Sequence, residues 1–217
     1  MRLPITNYAP RELTFFTIIL LGGALFAFSA GISWASIIFL SAFGFVLYFF
    51  RDPERGIMKN EARLLAPADG TVVEVTSVDE DRYLKDKATK VSIFMSIFDV
   101  HVNRIPCSGR VEFIDYQRGS FFDARTKDAS LKNENNSIGL VADNGSRFLV
   151  KQIAGLVARR IVCPIGVGER LEQGQRFGMV KFGSRLELFI PKNTPVRIMV
   201  KEGQKVVAGL TVLAELI

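Results

Sequence analysis

The sequence predicts a mainly β (α+β) domain with repeated hairpin units, preceded by an N-terminal two-helix transmembrane hairpin. Three observations lead to this prediction: an uncharged apolar stretch near the start, later runs of branched and aromatic residues, and glycine-marked turns between those runs. Period-two runs of such residues indicate strands, whereas a long uncharged apolar run is typical of lipid-spanning helices. The chain of 217 residues is long enough for one sizeable core, and its mean hydropathy of +0.22 indicates that part of it lies in lipid.

The apolar stretch covers residues 13–50, which contain no Asp, Glu, Lys, Arg or His. One bilayer crossing needs about 20 residues, so these 38 residues fit two short crossings with a turn at 29–33, just before Trp34. Basic residues flank both ends: Arg2, Arg11, Arg51, Arg55, Lys59 and Arg63. A hairpin puts both flanks on one side, which the positive-inside tendency makes cytoplasmic. We therefore predict a membrane anchor over 1–50 and a second domain over 51–217.

The apolar stretch has two alternative interpretations besides a membrane hairpin. A cleaved signal peptide fits poorly, because the apolar run is too long and basic residues follow it at once. A buried helical hairpin in the core of a soluble protein remains the structural alternative.

The rest of the chain is predicted to be rich in strands. Residues 71–75 and 90–98 have strand composition, and residues 138–150 have the pattern of a hairpin with Asn144-Gly145 at its turn. The only helix indicated there is a short one within residues 123–131.

Two segments near the end, 172–177 and 202–207, share a glycine turn followed by a short strand. Such paired units resemble the barrel-sandwich modules of biotinyl and lipoyl carriers, and we predict barrel-sandwich-like hairpin repeats. Lys181 comes nearest to a carrier lysine, but it lies within a predicted strand instead of at a hairpin tip. The two units are therefore interpreted as scaffold.

Charge and composition limit the kinds of partner. The net charge of +6 and the pI near 9.5 favour an anionic partner, either nucleic acid or an anionic lipid surface. The basic residues are scattered, without the aromatic-basic strand motif of RNA readers, which argues against nucleic acid. With a single histidine, and with Cys107 and Cys163 far apart, the sequence predicts neither a metal site nor a disulfide framework.

Gly183 and Ser184 interrupt the stretch Met179–Pro191, whose apolar alternation otherwise predicts a half-buried strand. Glycine weakens a strand interior, and there it marks either a bulge or a close approach to the backbone. A serine in that position can attack the carbonyl of the preceding glycine, for which the absence of a side chain leaves room. A plain β-bulge is the alternative.

The stretch F-G-S-R-L-E-L-F-I-P at 182–191 resembles the self-cleavage site of the phosphatidylserine decarboxylase proenzymes. Three further stretches are similar to the same family: A-P-A-D-G at 66–70, F-D-V-H-V-N-R at 98–104 with Pro106-Cys107 after it, and the segment 119–135. Together they span residues 66–191 in the family's order, in a chain of the length of its short bacterial members.

The resemblance implies a function for the whole chain. Cleavage between Gly183 and Ser184 gives a β chain, 1–183, and an α chain, 184–217, which stay together as a heterodimer. Ser184 becomes a covalent pyruvoyl group, which forms a Schiff base with phosphatidylserine, so that carbon dioxide and phosphatidylethanolamine are released without a metal. The expected location is the bacterial inner membrane with the catalytic domain 51–217 in the cytoplasm, and formation of a homo-oligomer is left open.

The same resemblance implies catalytic roles for His101 and Asp69 beside Ser184. Longer members carry two histidines; His101 matches the first, which is implicated in decarboxylation, while Arg104 stands at the second, which is implicated in self-cleavage. A guanidinium stays protonated and is no base, so either His101 serves both steps, or Asp69 acts with water or through a different geometry. Asp69 can equally be a turn residue, and Arg104 is a candidate contact for the substrate carboxylate or phosphate.

One polar segment has no assigned role, and one alternative function stays open. Residues 119–136 suit either a loop near the lipid headgroups or an ordinary surface loop, and no role is assigned to them. The alternative function is a non-enzymatic, membrane-anchored barrel-sandwich adaptor or carrier protein, in which Gly183-Ser184 is only a bulge.

Overall fold

The computed structural model describes residues 4–156, 160–181 and 183–217. The chain forms two compact units, Met1–Glu54 and Arg55–Ile217. The helices are α1 (Pro10–Ser29), α2 (Ser33–Phe49) and α3 (Lys127–Lys132). The strands are β1 (Arg63–Leu65), β2 (Gly70–Glu80), β3 (Asp86–Met95), β4 (Val102–Arg104), β5 (Gly109–Gln117), β6 (Asn135–Ala142), β7 (Arg147–Ile153), β8 (Ile161–Val162), β9 (Arg170–Leu171), β10 (Arg176–Val180), β11 (Ser184–Pro191), β12 (Val196–Ile198), β13 (Lys205–Val206) and β14 (Val212–Leu216).

In the first unit, α1 and α2 pack against each other through small residues. The Ser36 hydroxyl on α2 donates to the Ala24 carbonyl on α1 over 2.9 Å. A Cβ added to Gly23 would lie 2.8 Å from the Phe39 ring, so glycine permits this approach. By length and composition α1 is apolar enough to cross a membrane, whereas α2, with 17 residues, is shorter.

The second unit confirms that the protein is mainly β. In the described part of the chain, its strands form an eight-stranded sheet in the order β13-β2-β3-β11-β7-β6-β5-β9 and two three-stranded sheets, β1-β14-β12 and β4-β10-β8. All pairings between these strands are antiparallel. The core contains side chains from all three sheets, among them Leu64, Val91, Phe148, Phe177 and Leu188.

Most predicted elements are present, with shifted ends. Strand β2 contains the predicted strand 71–75, and β6 and β7 form the predicted hairpin, with Gly145 at a φ of +83° in its turn. Strand β3 ends at Met95 because Ser96 begins a turn, in which its amide donates to the Asp99 carboxylate over 2.8 Å. Helix α3 is shorter than predicted and begins four residues later.

The two glycine-marked units near the end both have the predicted turns. Gly174 precedes β10 with a φ of +77°, and Gly203 precedes β13 with a φ of +84°. Side chains rarely adopt this left-handed conformation, so glycine suits both positions. A barrel-sandwich arrangement of these units stays a prediction.

The prediction of one half-buried strand across Met179–Pro191 is wrong. Strand β10 ends at Val180 and β11 begins at Ser184, in a different sheet, while Phe182 lies outside the described residues. Strand β11 is also buried on both faces. One face carries core residues such as Leu186 and Leu188, and the other carries Arg185 and Glu187, whose partners lie on β2, β3 and α3. The alternating charges therefore do not mark a solvent face.

Both cysteines are free thiols; Cys107 is buried and Cys163 is half-buried. Burial raises the pKa of Cys107 to about 12 and that of Cys163 to about 11. Both thiols are therefore neutral at pH 7.5, where only a thiolate reacts quickly. We expect slow labelling by a disulfide reagent in the folded protein and prompt labelling of two thiols after denaturation. Fast labelling of the folded protein at pH 7.5 would contradict this expectation.

Candidate active site

The predicted cleavage pair lies at the junction between two sheets. Gly183 has a φ of +63°, a left-handed conformation that favours glycine, and Ser184 opens β11 opposite Met95 of β3. Ser184 is fully buried, and its hydroxyl donates to the Val180 carbonyl over 3.3 Å. The serine hydroxyl is thus held within the protein, directly after the Gly183 carbonyl.

His101 lies close to the same junction. Its ring is fully buried, and its Nδ1 lies 2.9 Å from the Asp99 carbonyl oxygen. Because a carbonyl only accepts, Nδ1 carries the hydrogen and the lone pair of the neutral ring is at Nε2. Val102 of β4 pairs with Met179 of β10, and the next residue of β10, Val180, accepts the Ser184 hydroxyl, so His101, the residue before β4, lies near that end of β10. The fold therefore brings the predicted histidine and serine to one neighbourhood.

Asp69 lies farther away and is held by other residues. Arg55 binds both carboxylate oxygens, over 2.7 and 2.8 Å, and the Ala208 amide donates to one of them over 2.8 Å. Asp69 directly precedes β2, and β3 separates β2 from β11. At ~4.8 Å between neighbouring strands, this arrangement puts the Asp69 and Ser184 backbones about 10 Å apart.

Arg104 lies on the Asp69 side of the domain. It is 4% exposed, its guanidinium donates to the Gly174 carbonyl over 2.9 Å, and its amide donates to the Pro67 carbonyl. A Cβ added to Gly209 would lie 3.0 Å from the Arg104 side chain. These contacts thus group Arg104 with the loops around Asp69 and Ala208.

Three basic residues of the predicted membrane flank are engaged in ion pairs within the second unit. Arg55 binds Asp69, Lys59 pairs with Glu172, and Arg63 pairs with Glu215. The side chain of Arg55 is only 7% exposed, so its charge is paired with Asp69 inside the domain.

A buried charge network next to Ser184 was missed in the sequence. Arg185 is 1% exposed and forms ion pairs with Glu74, over 2.6 Å, and with Glu187, over 2.9 Å. Lys90 also pairs with Glu74, and Ser130 on α3 donates to Glu187 over 2.9 Å. In the sequence, this charge network is indicated only by the alternation of Arg185 and Glu187 with apolar residues, which we interpreted as the solvent-exposed face of a strand.

The network also affects the ionisation of Glu74. Burial by itself raises the pKa of this carboxyl, but the hydrogen bond and charge of Lys90, together with the charge of Arg185, outweigh it and lower the pKa below its usual value. The ionised form of Glu74 therefore stabilises the folded state above the ordinary carboxyl pKa. This contribution is lost as the pH falls through the lowered pKa.

Replacing Glu187 with alanine should destabilise the domain strongly. The substitution leaves Arg185 buried without one of its carboxylate partners, and breaking a buried pair in this way costs about 3–5 kcal/mol. The measurement is chemical denaturation of the detergent-solubilised protein. Glu172→Ala is the control, because that residue and its partner Lys59 are more than half exposed and we expect little change. Equal midpoints for the two variants would show that the network does not stabilise the fold.

A sequence model of the family described as phosphatidylserine decarboxylase matches residues 42–214. The chain belongs to the phosphatidylserine decarboxylase family. A phosphatidylserine decarboxylase proenzyme of Carboxydothermus hydrogenoformans is 45% identical over 183 residues, which cover 84% of this chain and 85% of that protein. The proenzyme of Trichlorobacter lovleyi is 46% identical over 197 residues, covering 91% and 88%, and that of Salinibacter ruber is 49% identical over 174 residues, covering 79% and 76%.

Membership of the phosphatidylserine decarboxylase family confirms the resemblance found in the sequence. The matched region contains Asp69, His101, Arg104, Gly183 and Ser184. Their individual roles stay predictions. Among the described residues, no group of three or more His, Cys, Asp and Glu side chains is arranged to hold a metal ion.

Proposed function

We propose that the chain is the proenzyme of a phosphatidylserine decarboxylase, which cuts itself between Gly183 and Ser184 and then converts phosphatidylserine into phosphatidylethanolamine and carbon dioxide. The observation that carries the proposal is the family match over residues 42–214, within which this junction lies. Relatives that cover most of the chain are named as decarboxylase proenzymes, so the protein is an enzyme. The non-enzymatic adaptor has no comparable support.

The proposed cleavage begins with the Ser184 hydroxyl. Its oxygen bonds to the Gly183 carbonyl carbon as the carbon–nitrogen bond breaks and the hydroxyl proton passes to the freed nitrogen, so the acyl group moves from nitrogen to oxygen and leaves an ester and an amine. Elimination takes the Cα proton of Ser184 and releases Gly183 as a carboxylate. Water then replaces the nitrogen, ammonia leaves, and the former serine becomes an N-terminal pyruvoyl group. The left-handed turn at Gly183 and the buried Ser184 hydroxyl support this sequence of steps.

The chain's own residues fit such a group, because Ser184 is buried in the sheet and its hydroxyl binds Val180, near the end of β10 where His101 lies. When formed, the pyruvoyl ketone would condense with the substrate amine and accept electrons as carbon dioxide leaves. We assign to His101 the transfer of a proton at Nε2, since Nδ1–H is bound to the Asp99 carbonyl. After cleavage, β11 would stay paired with β3 and β7, which keeps the two fragments together as a heterodimer.

Asp69 and Arg104 enter the proposal in less direct roles. The three donors around the Asp69 carboxylate support an orienting role for it, in which it holds Arg55 and the loop at Ala208. For Arg104, we retain contact with the substrate carboxylate or phosphate as a prediction, which rests on its charge.

We further propose that residues 1–50 anchor the enzyme in the bacterial inner membrane, with the catalytic domain on the cytoplasmic side. Helix α1 is long and apolar enough to cross a bilayer. Large apolar side chains on both helices are exposed, among them Leu25, Phe26 and Trp34, and such surfaces are typical of lipid contact. A membrane location also suits an enzyme whose substrate is a phospholipid.

Intact-mass spectrometry of the purified, denatured protein tests the proposal. We expect two fragments, 1–183 and 184–217, with the smaller one lighter by one ammonia than a fragment that starts with serine. A single chain of full mass, from protein that is folded in its membrane, would contradict self-processing at this junction.

A further inference from the structure

Gly155 lies directly against the carbonyl group that Ser184 is proposed to attack. A Cβ added to Gly155 would lie 1.7 Å from the Gly183 carbonyl oxygen and 2.9 Å from its carbon. Atoms that are not bonded to each other do not approach so closely, so only glycine leaves room for this carbonyl in its present orientation. The contact joins the end of β7 to the start of β11.

The backbone at Gly155 is fixed from two sides. The backbone N–H of Ala154 donates to the Glu134 carbonyl over 2.9 Å, and the Ala154 carbonyl accepts from the side-chain nitrogen Nδ2 of Asn133 over 2.8 Å. On the other side, the methyl group of Ala124 would lie 3.2 Å from a Cβ at Gly155. A bulkier residue at Gly155 therefore has little space to retreat into, and the Gly183 carbonyl would have to move.

Asn133 ties these backbone segments together. It is 1% exposed, and its side chain accepts from the Phe122 amide over 2.9 Å and donates to the Phe122 carbonyl over 2.8 Å, besides its bond to Ala154. Three backbone groups are thus held by one buried amide, and replacing that amide leaves them without these partners. The sequence assigned no role to the segment 119–136. Through Asn133, this segment binds the backbone of Ala154, next to Gly155.

We propose that Gly155 and Asn133 are positioning residues for self-cleavage, which hold the Gly183 carbonyl in the orientation that the Ser184 hydroxyl attacks. Neither residue exchanges a proton or a bond in this step. The inference rests on the proposed self-processing and adds the residues that control its rate. A displacement of about 1 Å at a reacting centre can cost about 10²-fold in rate, so small shifts of this carbonyl matter.

The test follows cleavage of newly made precursor over time, by cell-free synthesis with lipid vesicles and gel or mass analysis. We expect Gly155→Ala to slow cleavage by about 10²-fold and Asn133→Ala by about tenfold, which corresponds to the loss of one or two buried hydrogen bonds. Gly166→Ala is the matched glycine control, since no atom lies within 4 Å of its added Cβ. Asn193→Ala, at an exposed position, is the matched asparagine control. Both controls should cleave at the wild-type rate.

Hydroxylamine distinguishes a positioning role from a later defect, because it cuts the ester into fragments 1–183 and 184–217. The peptide bond that it also attacks, Asn144-Gly145, gives fragments of other sizes. We expect slowed variants to contain no hydroxylamine-sensitive ester, while their thermal unfolding matches that of Ser184→Ala precursor. Accumulated ester, or Gly155→Ala cleavage at the wild-type rate, would overturn the proposal. Should Gly155→Ala not fold, wild-type cleavage of Asn133→Ala would overturn it instead. Wild-type chain that never cleaves would contradict the proposed function itself.

Discussion

Replacing Ser184 with alanine leaves a single chain of 217 residues that has no decarboxylase activity. Alanine lacks the hydroxyl that attacks the Gly183 carbonyl, so no ester forms, the chain stays whole and no pyruvoyl group is made. The change removes one oxygen atom from a buried position, where the hydroxyl makes a single long hydrogen bond to Val180. We therefore expect the precursor to fold, and denaturing electrophoresis with release of carbon dioxide from phosphatidylserine measures both effects.

Ser77→Ala is the matched control for this experiment. Ser77 is an exposed serine on β2, so its replacement should leave both cleavage and turnover at the wild-type level. Lipid decarboxylation by an uncut Ser184→Ala chain would rule out the proposed origin of the cofactor.

Replacing His101 should reduce decarboxylation by about 10²–10⁴-fold, the usual contribution of a positioned acid or base. Glutamine and alanine are the two informative substitutions, because glutamine preserves more of the volume of the fully buried ring. Activity is measured per pyruvoyl-bearing fragment, so that a loss of cleavage is not counted as a loss of turnover. Normal turnover per fragment in both variants would exclude His101 from decarboxylation.

Cleavage of the same variants is measured separately. Slow cleavage of His101→Gln would mean that this histidine also serves the first step, in which Arg104 is unable to act as a base. Normal cleavage would leave the first step to another group, such as Asp69 acting through water. Strand spacing puts the Asp69 and Ser184 backbones about 10 Å apart, which leaves room for such an intermediary.

Local patterns in the sequence predicted which helices and strands are present, but they predicted the ends of these elements less well. The hairpin around Gly145 was predicted because turn chemistry is local. Strand β3 ended early because Asp99 closes a turn onto Ser96, a contact that the strand composition did not indicate. The strand at Ser184 was misjudged because Arg185 and Glu187 are charged yet buried, and only their partners on other strands make that possible.

The amino-acid sequence predicts the proposed chemistry of processing, because Gly183 and Ser184 are covalent neighbours and the attacking and attacked groups follow each other along the chain. It also determined the family, through short motifs in a fixed order, and the apolar N-terminal segment. Three features come from the tertiary structure: Arg55 binds Asp69, the strand that follows His101 pairs with β10, and Gly155 lies against the Gly183 carbonyl. These contacts join residues far apart in the chain, and their physical cause is strand register and packing, which a single sequence does not specify.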